Sequence, residues 1–221
     1  MQQFQLLSRQ LTSDGIDPCQ VAAGPGEAGD NTKLQLPVTR SSKIAMSDEG
    51  LLDHYLSPAM ERYFARKLPD LDRGVRRQRI AECLKGLVLM QLSPGPILFS
   101  QAIDNIWHYW ILETAEYAAL CAALPGEEFI HHSSDDYQPE EDVAPQAPSA
   151  SVADRVVAFF AMYVGKFGLF DEGLLQYWPA LAVLMEAQGW ALARTNAYLE
   201  QRAKALDAAL SQVSLLHGLQ P

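Results

Sequence analysis

From residue 47 onwards, apolar residues recur at intervals of three and four, which is the spacing of a helix with one buried face. Three of these stretches begin at a residue whose side chain favours a helix N-terminus. Ser47 is followed by two acids that suit the positive end of a helix, and Ser57 is followed by Pro58, which fits the first helical position. Asp72 begins the third stretch. The pattern therefore predicts three consecutive helices in the first half of the ordered region.

The centre and the second half of the chain continue the helical pattern. Residues 101–124 contain neither proline nor glycine and are rich in alanine, leucine and isoleucine, so they predict one continuous helix that ends at Pro125-Gly126. Residues 151–167 predict a further helix, and residues 174–216 predict helical structure that is interrupted at Trp178-Pro179. No series of strands with alternating β-branched residues is present. We therefore predict an all-α fold, a single-domain bundle of six or seven helices.

Composition divides the chain into a helical domain over residues 47–221 and two regions rich in turn-forming residues. Residues 1–46 predict a flexible leader, and residues 133–150, which are acidic and proline-rich, predict an exposed loop. We interpret this loop as a passive linker, with a lid over the neighbouring histidines as the alternative. Residues 180–221 form a C-terminal helical extension with a short coiled-coil-like seam. We expect it to pack on its own domain, and the alternative is a contact with a second copy in a homodimer or with a partner protein.

Charge and composition exclude several classes of function. The chain has 221 residues and a formal net charge of −10, which argues against nucleic acid or an anionic membrane surface as the main partner. Three widely spaced cysteines give no disulfide framework, and neither a signal peptide nor an apolar run of about 20 residues is present, so we predict a cytoplasmic protein. The chain also lacks a Gly-rich phosphate loop, a Gly-x-Ser-x-Gly elbow and a Cys-x-x-Cys pair. Nucleotide binding, serine hydrolysis and zinc-finger roles are therefore not supported.

The residues that can carry chemistry concentrate in residues 104–132, the central stretch, which holds three of the five histidines. Asp104 and His108 are four residues apart, so a helix places them on one face with roughly 6 Å between their Cβ atoms. An extended return after Pro125-Gly126, at about 3.3 Å per residue, can bring His131 or His132 back beside His108. Because neighbouring residues of an extended segment face opposite ways, we expect only one of these two histidines to point at the site.

These residues predict a site for a divalent metal ion. Two imidazoles and one carboxylate, with coordination positions left open, suit non-haem Fe(II) and catalytic Zn(II). The alternative is a core histidine bonded to Asp104 and a solvated histidine pair. Cys121 lies thirteen residues beyond His108, about 20 Å along an unbroken helix, so we interpret it as a packing residue and not as a ligand. We predict that four further residues surround the ion as accessory residues and do not bind it: Trp107, Glu113, Tyr117 and Cys121.

Five motifs carry a resemblance to a known family. Three of them lie in the central stretch and two lie further on. The chain is similar in these motifs to a largely uncharacterised bacterial helical family that is related to the N-terminal region of plant glycine-rich domain proteins. The resemblance covers roughly residues 51–179, and it implies a small helical domain with a shared site at the Trp-His and His-His elements, without implying a reaction. The motifs are Asp104-x-x-Trp107-His108, Thr114-x-x-Tyr117-x-x-x-Cys121, Phe129-Ile-His-His132, Tyr163-x-x-x-Phe167-Gly168 and Tyr177-Trp178-Pro179.

Two hypotheses of function follow from these residues. The first is a metal-dependent enzyme that acts on a small molecule or peptide, with the ion bound by Asp104, His108 and either His131 or His132. The second is a non-catalytic helical interaction module in which the same residues form a structural metal site or a polar core cluster. Structural zinc sites usually use more cysteine than this chain offers, which favours the enzyme. An open coordination position would distinguish the first hypothesis from the second.

Overall fold

The computed structural model describes residues 47–92, 99–132 and 152–217. Within these ranges the chain forms eight α-helices, one 3-10 turn and no strand, which confirms the predicted all-α class. None of the described helices has the length and apolarity that a membrane crossing requires. The predicted flexible leader, residues 1–46, and the predicted exposed loop, residues 133–150, lie outside the described residues. In chain order the helices are α1 (Asp48–Tyr55), α2 (Pro58–Lys67), α3 (Arg73–Met90), α4 (Gln101–Leu112), α5 (Thr114–Ala123), α6 (Val152–Phe167), α7 (Pro179–Gln188) and α8 (Leu192–His217), with the 3-10 turn at Leu175–Tyr177.

The first three helices begin where the N-cap residues predict. Each cap has an extended backbone, and its side-chain oxygen accepts a hydrogen bond from a backbone N–H in the first turn. That N–H would otherwise have no partner within the helix, so the cap fixes the start of the helix locally. The three bonds run from Gly50 N–H to Ser47 Oγ at 3.2 Å, from Met60 N–H to Ser57 Oγ at 3.1 Å, and from Val75 N–H to Asp72 Oδ1 at 3.0 Å.

Helix α3 forms the centre of the bundle. It packs against α1, α2, α4 and α6, and every residue from 80 to 89 is buried. A helix that is buried on all sides is expected to be apolar all round. Helix α3 departs from that rule, because Glu82 and Lys85 lie within its buried part.

Arg77 joins the first three helices near the surface. Its guanidinium Nη2 lies 2.6 Å from Glu49 Oε2 on α1, and its Nη1 lies 2.9 Å from Glu61 Oε1 on α2. Arg73 adds a third contact, 3.2 Å from the same Glu61 oxygen. The hydrogen bond from Arg77 is the main cause that lowers the pKa of Glu61 below its ordinary value. These ion pairs are partly solvated, so each contributes little to stability.

The predicted continuous helix over residues 101–124 is wrong, because the chain breaks at Glu113 between α4 and α5. Glu113 leaves the helical conformation, with φ −94° and ψ 70°. In an unbroken helix Trp107 and Tyr117 would stand about 15 Å apart along the axis, at about 1.5 Å per residue. The break brings Trp107 Nε1 within 3.0 Å of the Tyr117 hydroxyl oxygen, and both side chains are buried. Packing between two residues on either side of the break therefore outweighs the local helix propensity of the segment.

A second break, at Gly189, separates α7 from α8, and the described residues then form eight helices, in line with the predicted bundle of about six or seven. Gly189 adopts a left-handed conformation, with φ 61° and ψ 35°, and ends α7. Helix α8 then packs along α6. The two helices approach closely at Gly165, where an added Cβ would lie 3.2 Å from the Cβ of Ala203. The C-terminal helix thus packs on its own chain, and its contact with a second copy or a partner protein stays a prediction.

Candidate metal centre

Asp104, His108 and His132 form a cluster of three side chains that can hold a metal ion. One ligand atom from each residue lies within 4.8 Å of the other two. His108 Nδ1 is 3.2 Å from Asp104 Oδ2, and His132 Nε2 is 3.4 Å from Asp104 Oδ1. The side chain of His108 is 50% exposed, whereas those of Asp104 and His132 are 28% and 21% exposed. The Asp104 and His132 side of the cluster is therefore mostly covered by the protein, and the His108 side is open to solvent.

Helix α4 supplies two of the three ligands. Asp104 and His108 lie one turn apart on the same face, as their spacing predicts. His108 Nδ1 also lies 2.8 Å from the backbone carbonyl oxygen of Asp104. Both contacts with Asp104 are thus made by Nδ1. In the tautomer that protonates Nδ1, this nitrogen donates to the carbonyl and Nε2 is left to bind a metal ion, whereas in the tautomer that protonates Nε2, Nδ1 itself can be the ligand. A backbone contact of this kind orients a histidine ligand before the ion arrives.

The third ligand arrives on the segment that follows α5. The Tyr117 hydroxyl donates a hydrogen bond of 2.6 Å to the carbonyl oxygen of Ile130, and the side-chain amide of Gln91 donates to the carbonyl oxygen of Glu128. The side chain of Ile130, which belongs to this segment, is buried. These two bonds fix the path of the chain immediately before His132. The predicted return of the chain to α4 is therefore made by an anchored, non-helical segment.

His132 joins the cluster, and His131 does not. The ring of His132 meets the ring of His108 at a centroid distance of 4.4 Å. The ring of Trp107, the residue before His108, makes an edge contact with the His132 ring at a centroid distance of 4.5 Å. His131 is exposed, and its ring instead contacts Phe129 at 5.0 Å. The alternation of neighbouring side chains in an extended segment accounts for this difference.

Neither of the two described cysteines belongs to the cluster. Burial raises the pKa of the Cys83 thiol, and the charge of Asp104 adds to the effect. Cys121 is also buried, beside Tyr117. Burial is the main cause that raises the pKa of the Tyr117 hydroxyl, and Cys121 raises it further. Because the helix breaks at Glu113, the expected separation of about 20 Å along an unbroken helix no longer applies to Cys121. Its assignment as a packing residue now depends on its burial.

Replacement of Cys121 by serine is expected to lower the free energy of unfolding by about 1–3 kcal/mol, because a buried hydroxyl without a good partner is costly. The metal affinity of the folded variant is expected to equal that of the unchanged protein. Urea unfolding and metal titration of the same preparation measure the two quantities. Loss of metal binding without loss of stability would instead make this thiol a ligand.

Glu113 lies at the break between α4 and α5 and outside the metal cluster. Its carboxylate acts on Tyr63, whose pKa is raised mainly by burial and next by the charge of Glu113. Of the four residues predicted to be accessory, Trp107 and Tyr117 contact the segment or the ring that carries the third ligand. Glu113 and Cys121 lie outside the cluster, Glu113 at the break between α4 and α5 and Cys121 on α5.

A second polar cluster was not anticipated from the sequence. Glu82 is fully buried, and its Oε2 accepts hydrogen bonds from Trp178 Nε1 at 2.6 Å and from the Tyr163 hydroxyl at 2.8 Å. Its Oε1 lies 2.6 Å from Lys85 Nζ. Lys85 Nζ also lies 2.7 Å from Asp48 Oδ1, and Asp48 is partly exposed. We name this set of residues, Asp48, Glu82, Lys85, Tyr163 and Trp178, the Glu82 cluster.

A sequence signal for the Glu82 cluster did exist. Glu82 and Lys85 are the charged residues of a ten-residue stretch, residues 80–89, that is otherwise made of apolar residues and one glycine. Opposite charges three residues apart meet on one face of a helix. A pair of this kind inside a helix that is apolar all round predicts a buried ion pair, because charged side chains are rarely buried without a partner. The aromatic partners come from distant parts of the chain and carry no comparable signal.

Comparison of the chain with protein-family models, with curated proteins and with solved structures finds no match. The likeness to the bacterial helical family therefore stays a prediction. The described residues define the protein as an all-α bundle with a candidate Asp/His metal centre near its surface.

Proposed function

We propose that the protein binds one divalent first-row metal ion, Fe(II) or Zn(II), at Asp104, His108 and His132, and that it is a metal-dependent enzyme. The observation that carries this proposal is the approach of one carboxylate and two imidazoles to within 4.8 Å of one another. The substrate class that suits the site is a small molecule or peptide, which would approach from the half-exposed side of His108. The proposed location is the cytoplasm, and neither nucleic acid nor a membrane is a proposed partner.

The number and type of ligands support a catalytic ion over a structural one. Structural zinc sites are closed by four protein ligands that often include cysteine, whereas catalytic sites use three protein ligands and keep a position open. Among the described residues, the candidate cluster has three members and no thiol. The 2-His-1-carboxylate set is also the one that non-haem Fe(II) enzymes use. When bound, the ion supplies Lewis-acid chemistry or, if it is iron, redox chemistry.

The alternative is a non-catalytic helical interaction module. One observation favours it: Asp104 already contacts both imidazoles, at 3.2 and 3.4 Å, so the three side chains can stabilise one another without an ion. In that case the cluster would be a polar contact between α4 and the segment that follows α5. The two functions differ in whether the ion binds and in whether it keeps an open coordination position.

Two measurements test the proposal. Protein purified without a metal-affinity column should contain about one Fe or Zn per chain, or should bind one added Zn(II) or Co(II) per chain in a titration. In the Co(II) form, addition of azide should change the visible absorption spectrum, because a small anion can occupy an open coordination position. Absence of metal and of binding favours the interaction module. Binding with a spectrum that azide does not alter favours a closed, structural metal site.

A further inference from the structure

Tyr117 connects the two parts of the chain that supply the candidate ligands. Its hydroxyl accepts a hydrogen bond of 3.0 Å from Trp107 Nε1 and donates one of 2.6 Å to the carbonyl oxygen of Ile130. Trp107 immediately precedes His108 on α4, and Ile130 lies two residues before His132. One buried hydroxyl group thus bridges the helix with two ligands and the segment with the third.

We propose that Tyr117 is a positioning residue of the metal centre, which sets the approach of His132 to Asp104 and His108. This inference rests on the proposed metal site and specifies how the site is preorganised. Tyr117 itself is not a proposed ligand, because its hydroxyl accepts a hydrogen bond from Trp107 and donates one to Ile130. Its influence on an ion acts through the backbone that carries His132.

The bond from Tyr117 to Ile130 is the buried contact that holds the segment closest to His132. Residues 124–132 lie outside any helix, so no helical hydrogen bonds hold His132 in place. The contact of Tyr117 with Ile130 is buried, whereas the contact of Gln91 with Glu128 lies in an exposed part of the segment, further from His132. The ring of Tyr117 also packs against Phe129, at a centroid distance of 5.3 Å. Removal of the hydroxyl would therefore keep the aromatic packing and free the carbonyl that precedes His132 by two residues.

The Trp107 side of the bridge fixes the other end. The ring of Trp107 meets that of His132 at 4.5 Å, and its Nε1–H donates to Tyr117. The same hydroxyl thus contacts the indole that packs against the His132 ring and the backbone that carries His132. Residues that orient metal ligands through hydrogen bonds typically change metal affinity by about 10–100-fold when they are removed.

The test compares Tyr117→Phe with Tyr163→Phe. Both substitutions remove one hydroxyl from a buried tyrosine, and the Tyr163 hydroxyl belongs to the Glu82 cluster instead of the metal centre. We expect Tyr117→Phe to weaken Zn(II) binding by about 10–100-fold and to change the visible spectrum of the Co(II) form. Tyr163→Phe is expected to lower the melting temperature and to leave both quantities unchanged. Equal metal affinities and spectra in the two folded variants would overturn the proposal.

A measurement on the metal-free protein separates this inference from the proposed function. Hydrogen exchange at the amides of residues 130–132, and the NMR signals of the His132 ring, report the order of the segment directly. We expect faster exchange and altered ring signals in Tyr117→Phe and not in Tyr163→Phe. If the unchanged protein binds no metal, the proposed function fails, and exchange that is the same in both variants overturns the role of Tyr117 as well. Should Tyr117→Phe not fold, Trp107→Phe removes the other bond of the bridge, and unaltered amide exchange at residues 130–132 in that variant would contradict the proposal.

Discussion

Replacement of Glu82 by alanine is expected to lower the free energy of unfolding by about 3–5 kcal/mol, because it removes one partner of a buried ion pair. The Lys85 ammonium group would keep Asp48 alone as a carboxylate partner, and Asp48 is 46% exposed. The Tyr163 hydroxyl and the Trp178 indole N–H would lose the acceptor that they share. A buried donor without an acceptor adds its own cost of about 1–3 kcal/mol. Urea unfolding at neutral pH measures the loss.

Glu49→Ala is the matched control for this substitution. Glu49 also pairs with a basic residue, Arg77, but its side chain is 71% exposed, so its removal is expected to cost no more than about 1 kcal/mol. A double substitution, Glu82→Leu with Lys85→Met, removes both charges and should recover part of the stability that Glu82→Ala loses. Similar losses for Glu82→Ala and Glu49→Ala would contradict the description of the Glu82 cluster as a buried ionic network.

The position of the Glu82 cluster explains why its loss is expected to be global. Glu82 and Lys85 lie on the central helix α3, Tyr163 lies on α6, and Trp178 precedes α7. Asp48 is the first residue of α1. The Glu82 carboxylate therefore joins α3 to α6 and to the residue before α7, and Lys85 extends the network to α1. Such networks hold distant elements in one arrangement only while every member keeps its partner.

The parts of the fold that the sequence predicts well are those with local causes. Ser47, Ser57 and Asp72 each cap a helix through a bond to an N–H three residues ahead. The pairing of Asp104 with His108 follows from the helical repeat alone. Interactions of this kind need only the neighbouring residues, so their pattern is visible in one sequence.

The features that the sequence did not predict depend on contacts between distant residues. The segment around Glu113 has no proline or glycine, yet it breaks there, and Trp107 and Tyr117 meet across the break. The choice between the two histidines has a similar origin. Alternation indicates that one of them faces α4, but the bond from Tyr117 to Ile130 determines that it is His132. Local propensity carries no information about either contact.

Replacement of His132 by alanine is expected to weaken Zn(II) binding by more than about 100-fold, since residues that only orient ligands already account for about 10–100-fold. His131→Ala is the matched control, because it removes the neighbouring, exposed histidine, whose ring contacts Phe129 outside the cluster. We expect its affinity to remain that of the unchanged protein. Isothermal titration of metal-free protein, with folding checked by circular dichroism, measures the difference.

The His132→Ala substitution should also reduce the stabilisation that the metal ion provides. At a free Zn(II) concentration 100 times the dissociation constant, binding stabilises the unchanged protein by about 2.7 kcal/mol. A variant that binds 100-fold more weakly gains only about 0.4 kcal/mol at that concentration, by the same relation. Because imidazole must be neutral to bind a cation, the destabilisation caused by a chelator should increase with pH in the unchanged protein and in His131→Ala. A chelator effect in His132→Ala as large as in His131→Ala would show that the ion is held elsewhere, and the assignment of Asp104, His108 and His132 as its ligands would then be wrong.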